Sequence, residues 1–189
     1  MRIISGRARG KKLVEFAGAQ VRPTADRVRE ALFSILTSRL GSLQGCKVLD
    51  LFAGTGALAL EALSRGAQSA LLIEAHPESI KIIQNNIDGC RMTDCARVLR
   101  GELPAALALT VKSGPFDLIF LDPPYTQGLA QATLIQIADL ELLSAKGMIV
   151  VETAKGEVLP EQIGSLIRTD QRHYGVSTIT LYERTTPPA

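Results

Sequence analysis

The residues best suited to chemistry form the tetrapeptide Asp122-Pro123-Pro124-Tyr125. The two prolines fix φ and lack N–H donors, so the turn presents only hydrogen-bond acceptors, namely carbonyl oxygens and the Asp122 carboxylate. When Asp122 and the Pro123 carbonyl accept the two hydrogens of an exocyclic base amine, the nitrogen can pyramidalise and direct its lone pair at a methyl donor. Tyr125 can stack on the base. We therefore interpret Asp122, Pro123 and Tyr125 as catalytic residues; a surface Pro-Pro turn is the alternative.

A second motif is the glycine-containing segment DLFAGTGALA, residues 50–59. It follows an apolar run and opens a predicted helix, which is the context of a G-x-G-x-x-[GA] nucleotide loop. Glu74 lies 18 positions after Gly56, at the end of the next predicted strand, where a carboxylate can take both hydroxyls of a ribose. A glycine turn followed by an unrelated acid is the alternative. The pattern predicts a ribose-bearing cofactor.

Asp50 decides between two such cofactors. The pyrophosphate of a dinucleotide would lie close to this carboxylate and be repelled, whereas the ammonium and sulfonium of S-adenosylmethionine would be attracted. Glu102, just after the third predicted strand, is placed to meet the adenine amine. The predicted cofactor is S-adenosylmethionine, and its predicted binding residues are Asp50, Phe52, Ala53, Gly54, Gly56, Glu74 and Glu102.

Both motifs require elements that end beside them, and the apolar pattern supplies a regular series. Strands are predicted at 48–51, 70–73, 97–99, 117–121, 148–151, 173–174 and 178–182. Helices are predicted at 25–40, with Thr24 as the cap, and at 57–64, 77–88, 104–111 and 129–140. This alternation indicates an α/β fold, a doubly wound, mostly parallel seven-stranded sheet of the Rossmann-like kind with an antiparallel C-terminal edge hairpin. Ligands of such sheets bind beyond the carboxyl ends of the strands.

The charge of the chain is concentrated at its N-terminus. The net charge is +2, yet residues 1–29 hold eight cations and two anions, so this segment carries +6 and the rest −4. A basic segment joined to a mildly acidic body is typical of an arm that binds phosphates, and a solvated strand pair is the alternative. The candidate RNA-binding residues are Arg7, Arg9, Lys11, Lys12, Arg22 and Arg27.

We expect three segments along the chain. Residues 1–45 are a basic N-terminal arm and helix that packs on the core, residues 46–184 are the catalytic domain, and residues 185–189 are a tail. A length of 189 residues with 46% hydrophobic and 21% charged residues suits one globular domain and excludes a disordered or fibrous protein.

Composition also excludes several classes of function. Aromatic residues are 4% with no Trp, which leaves no extended stacking platform for single-stranded nucleic acid. Three cysteines without CxxC spacing and two histidines without partners at useful spacing give no basis for a metal site or a Ser-His-Asp triad. No apolar run is long enough for a membrane span and no secretory signal is present, so we expect a cytoplasmic protein.

Two pairs of segments resemble known families. The segments 49–56, LDLFAGTG, and 122–125, DPPY, resemble class I S-adenosylmethionine-dependent amino-methyltransferases, which act on DNA adenine, protein glutamine or RNA guanine. More narrowly, the segments 22–33, RPTADRVREALF, and 56–66, GALALEALSRG, look like the bacterial 16S ribosomal RNA guanine-N2 methyltransferase D family, over essentially the whole chain.

That resemblance implies transfer of a methyl group to the N2 amine of a guanine in small-subunit ribosomal RNA. Asp50, Gly54 and Gly56 would bind the methionine side of the cofactor, Glu74 its ribose, and Asp122 with Tyr125 the guanine. The partner would be the RNA of an assembled or partly assembled small subunit, contacted by the basic arm. We expect a monomer with no membrane or metal partner. Glu102-Leu103 departs from the family, where a small or amide residue followed by alanine is expected.

Three alternatives use the same motifs. A DNA adenine-N6 methyltransferase needs surface that reads base edges, and about 45 N-terminal residues with short loops leave no recognition domain. A protein glutamine methyltransferase would not require the basic arm. A non-catalytic RNA-binding assembly factor would not require an acceptor-only turn.

Overall fold

The computed structural model describes residues 1–16, 23–124 and 128–185, with only the backbone of residues 23–27. The chain divides into two compact units, Met1–Arg100 and Gly101–Ala189. The boundary expected after residue 45 remains a prediction. No helix within the described ranges is long and apolar enough to cross a membrane.

The first unit combines a basic hairpin with helices and parallel strands. The basic hairpin, residues 1–13, is closed by an antiparallel bridge between Arg2 and Lys12. The other elements are α1 (Pro23–Leu40), β1 (Lys47–Leu51), α2 (Ala57–Ser64), β2 (Ser69–Glu74), α3 (Pro77–Gly89) and β3 (Ala96–Arg100). The strands lie in the order β3-β2-β1 and pair in parallel. β1 is nearly all buried, which parallel strands covered on both faces require.

The second unit begins with a short 3₁₀-helix, Ala105–Thr110, and continues as a mixed sheet. Its elements are β4 (Phe116–Leu121), α4 (Leu129–Asp139), β5 (Leu143–Ala154), β6 (Gln162–Ile163), β7 (Leu166–Tyr174) and β8 (Ser177–Arg184). The strand order is β4-β5-β8-β7-β6. β4 and β5 are parallel, and the remaining pairs are antiparallel.

The α/β class and the antiparallel C-terminal strands are confirmed, with differences of extent. The described residues contain eight strands rather than seven, because the two-residue β6 adds one. β7 runs over nine residues where two were predicted, because only its first residue is buried and a register shift between Arg168 and Asp170 interrupts the alternation.

Two helix predictions need correction. Thr24 is not the cap of the first helix, because α1 begins at Pro23, and proline fits the first turn of a helix, where the N–H has no partner. Residues 104–111 do not form an α-helix but the 3₁₀-helix noted above, as short apolar segments often do. Of the predicted tail, residues 186–189 lie outside the described residues.

β1 and β4 each end beside a parallel neighbour that is paired with them in register. In the first unit Leu51 of β1 pairs with Ile73 of β2. In the second unit Leu121 of β4 pairs with Val151 of β5. Phe52, Ala53, Gly54 and Gly56 therefore follow β1 next to Glu74 at the end of β2. In the second unit Asp122 and Pro123 follow β4.

Candidate active site

The glycine loop follows β1 in an unusual backbone conformation. Phe52, Gly54 and Gly56 have φ angles of 60°, 56° and 76°. This left-handed region is open to glycine but disfavours a side chain such as that of Phe52. The loop closes through a hydrogen bond from the Gly56 N–H to the Ala53 carbonyl at 2.7 Å, and the Ala53 N–H donates to Ile73 on β2 at 3.1 Å. The loop is thus held in one shape at the strand ends.

Glu74 at the end of β2 fixes this loop from the side. Its carboxylate accepts hydrogen bonds from the backbone N–H of Gly54 at 2.9 Å, Ala75 at 2.9 Å and His76 at 3.0 Å. The side chain is only 8% exposed. Three donors on one carboxylate hold it in a fixed orientation at the loop.

Asp50, within β1, is the other acidic residue of the loop. It is 2% exposed, and its Oδ2 accepts the N–H of Ala59, the third residue of α2, at 3.1 Å. The carboxylate therefore satisfies a free N–H in the first turn of α2 and lies at the positive end of the helix dipole. α2 is thereby anchored to the strand that precedes the loop.

The two glycines differ in the space around them. A Cβ on Gly56 would lie 3.1 Å from Leu72 and 3.4 Å from Ile83, so this side of the loop is packed against the core. A Cβ on Gly54 would meet only the Phe52 carbonyl oxygen, at 3.9 Å. The loop therefore has one packed side and one open side.

The basic hairpin is attached to α2 through backbone contacts. Glu61, fully buried on α2, accepts the N–H of Ile4 at 2.7 Å and of Ser5 at 3.0 Å. The Arg7 N–H donates to the Ser64 carbonyl at 2.8 Å. Because these contacts use the backbone, the cationic side chains of the hairpin remain exposed; they are Arg2, Arg7, Arg9, Lys11 and Lys12.

Asn86 on α3 links the segment after the hairpin to the glycine loop. Its side chain is 2% exposed, and its Oδ1 accepts the N–H of Val14 at 2.6 Å. Its Nδ2 donates to the carbonyls of Val14 at 3.0 Å and Thr55 at 2.9 Å. One buried amide thus fixes the basic segment and the glycine loop together within the first unit.

The acceptor turn starts where β4 ends. Pro123 is buried, while Asp122 and Pro124 are exposed at the surface. Desolvation by the surrounding protein, and secondly the negative charge of Glu152, raise the pKa of Asp122 to about 7. The side chain is thus accessible to a ligand, although the protein around it raises its pKa. A carboxylic acid that titrates near neutrality is typical of functional sites.

The remaining predicted site residues are less constrained. Glu102 is exposed, and its backbone carbonyl accepts the N–H of Ala106 at 2.9 Å. Tyr125, Arg22 and the side chain of Arg27 lie outside the described residues. No group of three or more metal-ligating side chains occurs in the part of the chain that the structure describes.

Sequence reasoning missed Glu61, Asn86 and Glu152. Asn86 lies on a helix with several other polar residues, so nothing in the sequence marks it. Glu61 is the one charged residue of the apolar helix α2, and this isolation is the signal that could have found it. Glu152 directly follows the predicted strand 148–151, and its position after a parallel strand is the signal that could have found it.

The whole chain is similar to known proteins. The family model described as "Conserved hypothetical protein 95" matches residues 1–183. "Putative rRNA methyltransferase YlbH" of Bacillus subtilis (strain 168) is 35% identical over 185 residues, which covers 97% of this chain and 99% of the relative. "Ribosomal RNA small subunit methyltransferase D" of Escherichia coli (strain K12) is 35% identical over 184 residues, which covers 97% of this chain and 90% of the relative.

The chain belongs to the family described as "Conserved hypothetical protein 95". The solved structure of "Putative methyltransferase yhhF from Escherichia coli" matches with a TM-score of 0.82 and 34% identity over 97% of each chain. The resemblance to the methyltransferase D family and the class I methyltransferase fold are thereby confirmed. The protein is a methyltransferase and its cofactor is S-adenosylmethionine.

The residues of the glycine loop fit this cofactor. The open side of Gly54 leaves room for a ligand against the backbone, and buried carboxylates lie on either side of the loop sequence at Asp50 and Glu74. These carboxylates are negatively charged hydrogen-bond acceptors. They suit a ligand with an ammonium group and ribose hydroxyls better than one with a pyrophosphate.

The contact between the hairpin and α2 can be tested at two glycines with nearly equal φ. Gly6 has φ 82°, and a Cβ there would lie 1.8 Å from the Ser64 carbonyl oxygen; Gly10 has φ 81° and no atom within 4 Å. We expect Gly6→Ala to separate the hairpin from α2 and to speed tryptic cleavage after Arg7 and Arg9. Gly10→Ala carries only the backbone strain of about 1–2 kcal/mol and serves as the control. Mass spectrometry of the digests measures the cleavage rates. Equal rates in the two variants would contradict this account of the contact.

The pKa of Asp122 predicts a pH-dependent stability difference. Because folding raises this pKa from 3.8 to about 7, the folded state disfavours the charged carboxylate, and stability is lost as pH rises through this window. Asp122→Asn removes the charge, so its melting temperature should exceed that of the wild type at about pH 8 and match it at about pH 4. Thermal unfolding at both pH values measures the difference, with the exposed Asp139→Asn as control. A difference that is the same at both pH values would show that Asp122 has no raised pKa.

Proposed function

We propose that this chain transfers the methyl group of S-adenosylmethionine to the exocyclic N2 amine of a guanine in small-subunit ribosomal RNA. The observation that carries the proposal is the turn after β4, which offers the exposed Asp122 carboxylate next to two residues without N–H donors. The relatives named for methylation of small-subunit ribosomal RNA support the substrate class.

The turn would activate the amine by accepting its hydrogens. A base amine is a weak nucleophile because its lone pair is delocalised into the ring. Hydrogen bonds to Asp122 and to the Pro123 carbonyl favour the pyramidal nitrogen, whose lone pair is free to react. S-adenosylmethionine supplies an electrophilic methyl group on a sulfonium when bound. The methylated nitrogen then loses one proton to Asp122 or to water, and Tyr125 is proposed to stack on the base.

The glycine loop and its acidic residues would hold the cofactor. We assign the methionine side to Asp50, Gly54 and Gly56 together with the loop residues Phe52 and Ala53. Glu74, already held in a fixed orientation, would take the ribose hydroxyls. Glu102 would meet the adenine amine, and its exposure leaves it accessible to a ligand.

The basic hairpin would bind the phosphates of ribosomal RNA. Its five cations are exposed and residues 1–13 contain no acidic side chain, so the hairpin offers a phosphate-binding surface on a rigid support. We extend this surface to Arg22 and Arg27. We assign the reaction to the cytoplasm, to a monomeric enzyme, and to an assembled or partly assembled small subunit.

The direct test is transfer of labelled methyl from S-adenosylmethionine to small ribosomal subunits that lack the modification, followed by nucleoside analysis. Free ribosomal RNA, duplex DNA and protein fractions are the parallel substrates. Label in N2-methylguanosine from the subunits is the expected result. Label in DNA adenine or in protein would overturn the substrate, and no transfer to any substrate would favour the non-catalytic assembly factor.

Asp122→Ala should lower turnover much more than cofactor affinity. Its hydrogen bond strengthens as the amine pyramidalises, so we expect kcat to fall by about 10²–10³-fold while the Kd for S-adenosylmethionine changes by less than about threefold. Single-turnover kinetics and calorimetric cofactor binding measure the two quantities. Asp139→Ala, an exposed carboxylate on α4, is the control. A parallel loss of affinity and turnover would assign Asp122 to cofactor binding instead.

Removing the hairpin cations should weaken RNA binding without releasing the hairpin. Replacement of Arg7, Arg9, Lys11 and Lys12 by Ala keeps the backbone hydrogen bonds to Glu61. We expect the slope of log K against log salt to become shallower by about 3 if all four cations contact phosphates. Lys112 and Lys146, exposed cations outside the hairpin, give the matched double-Ala control. An unchanged slope in the fourfold variant would remove the hairpin from the RNA interface.

A further inference from the structure

A second carboxylate lies beside Asp122 in the second unit. β4 and β5 are parallel, and their register pairs Phe120 with Val150 and Leu121 with Val151. Continuation of this register by one residue places Asp122 next to Glu152. Paired residues on adjacent parallel strands are about 5 Å apart and project from the same face of the sheet. The pairing therefore gives two neighbouring carboxylates at the end of β4.

The electrostatics of the pair agree with this placement. Desolvation and, secondly, the negative charge of Glu152 raise the pKa of Asp122, so the two carboxylates are close enough for their charges to repel. Glu152 is half-buried, and its neighbours Val151 and Thr153 are fully or almost fully buried. A second carboxylate at this place disfavours the ionised form of Asp122. Packing of β5 does not require a charged side chain here.

The Watson–Crick edges of the bases differ next to their amines. In guanine the N2 amine adjoins N1–H, so two hydrogen-bond donors lie side by side. In adenine and cytosine the exocyclic amine adjoins a ring nitrogen with a lone pair. One acceptor site suits the amine of all three bases, whereas a second carboxylate beside it is matched only by guanine and repels the lone pair of the other two.

We propose that Glu152 accepts the N1–H of the target guanine and so selects guanine over adenine and cytosine. This inference rests on the proposed function, in which Asp122 holds the adjacent N2 amine. Binding of the two donors also relieves the repulsion between the carboxylates, because each negative charge gains a hydrogen bond. Glu152, in β5 beside the turn, is then the specificity-determining residue. The turn itself suits the amine of any of the three bases.

The test uses 2-aminopurine, which keeps the 2-amino group of guanine but presents a lone pair at N1. Small subunits are reconstituted with ribosomal RNA that carries guanine or 2-aminopurine at the nucleotide identified by the transfer experiment. The value of kcat/KM is measured on both substrates for the wild type, for Glu152→Gln and for Glu161→Gln. Glu161 is a surface residue of the same unit with 86% of its side chain exposed, and it provides the matched control.

We expect the wild type and Glu161→Gln to prefer guanine by about 100-fold or more, because the analogue places a lone pair against the half-buried Glu152 carboxylate. In Glu152→Gln the amide can donate to N1 of 2-aminopurine, so the preference should shrink by at least about tenfold. Cofactor binding and thermal unfolding confirm that the variant is folded.

Two results would overturn the proposal. One is a wild-type enzyme that uses guanine and 2-aminopurine equally well, and this result does not depend on whether any variant folds. The other is a folded Glu152→Gln enzyme whose preference changes by less than tenfold. Absence of transfer to guanine by the wild type is a different result, because it removes the proposed function and this inference with it.

Discussion

Parallel strand pairing in fixed register is the constraint on which both parts of the site depend. In the first unit the pairing of Leu51 with Ile73 makes β1 and β2 end together, so that Glu74 reaches the N–H of Gly54 at 2.9 Å. In the second unit β4 ends at Leu121 opposite Val151, and β5 continues, so Asp122 follows β4 next to Glu152 within β5. A shift of one residue in either pair would turn these carboxylates to the opposite face. The buried apolar strands that fix the register therefore also fix the chemistry.

Buried polar side chains attach the basic hairpin and the segment after it to the helices of the first unit. Glu61 and Asn86 have almost no exposed surface. Glu61 accepts the N–H groups of residues 4 and 5 as well as Arg65 Nε, and Asn86 bonds to the backbone of Val14 and Thr55. Unsatisfied groups of this kind are costly to bury, so each attachment is specific as well as stabilising. The cationic side chains of the hairpin are thus exposed while its backbone is held against α2, which is the arrangement that the proposed contact with RNA requires.

Much of the fold and of the candidate site follows from the sequence, because short apolar runs that end at Leu51, Ile73 and Leu121 mark the strands. The candidate carboxylates lie next to these ends. The extent of β7 does not, because one of its nine residues is buried and a register shift between Arg168 and Asp170 breaks the alternation. The role of Glu61 is equally hidden, since its partners lie 56 and 57 positions away in the chain and a Glu in a helix ordinarily faces water. Long-range backbone contacts of this kind leave no local pattern.

The central claim is that an ionised Asp122 accepts the hydrogens of the reacting amine. The most direct test is the pH dependence of kcat/KM for methyl transfer to small subunits, which reports groups of the free enzyme. The account predicts that kcat/KM rises with pH and levels off above the Asp122 pKa of about 7, while the affinity for S-adenosylmethionine stays constant. A value of kcat/KM that is flat or falls across this range would contradict it.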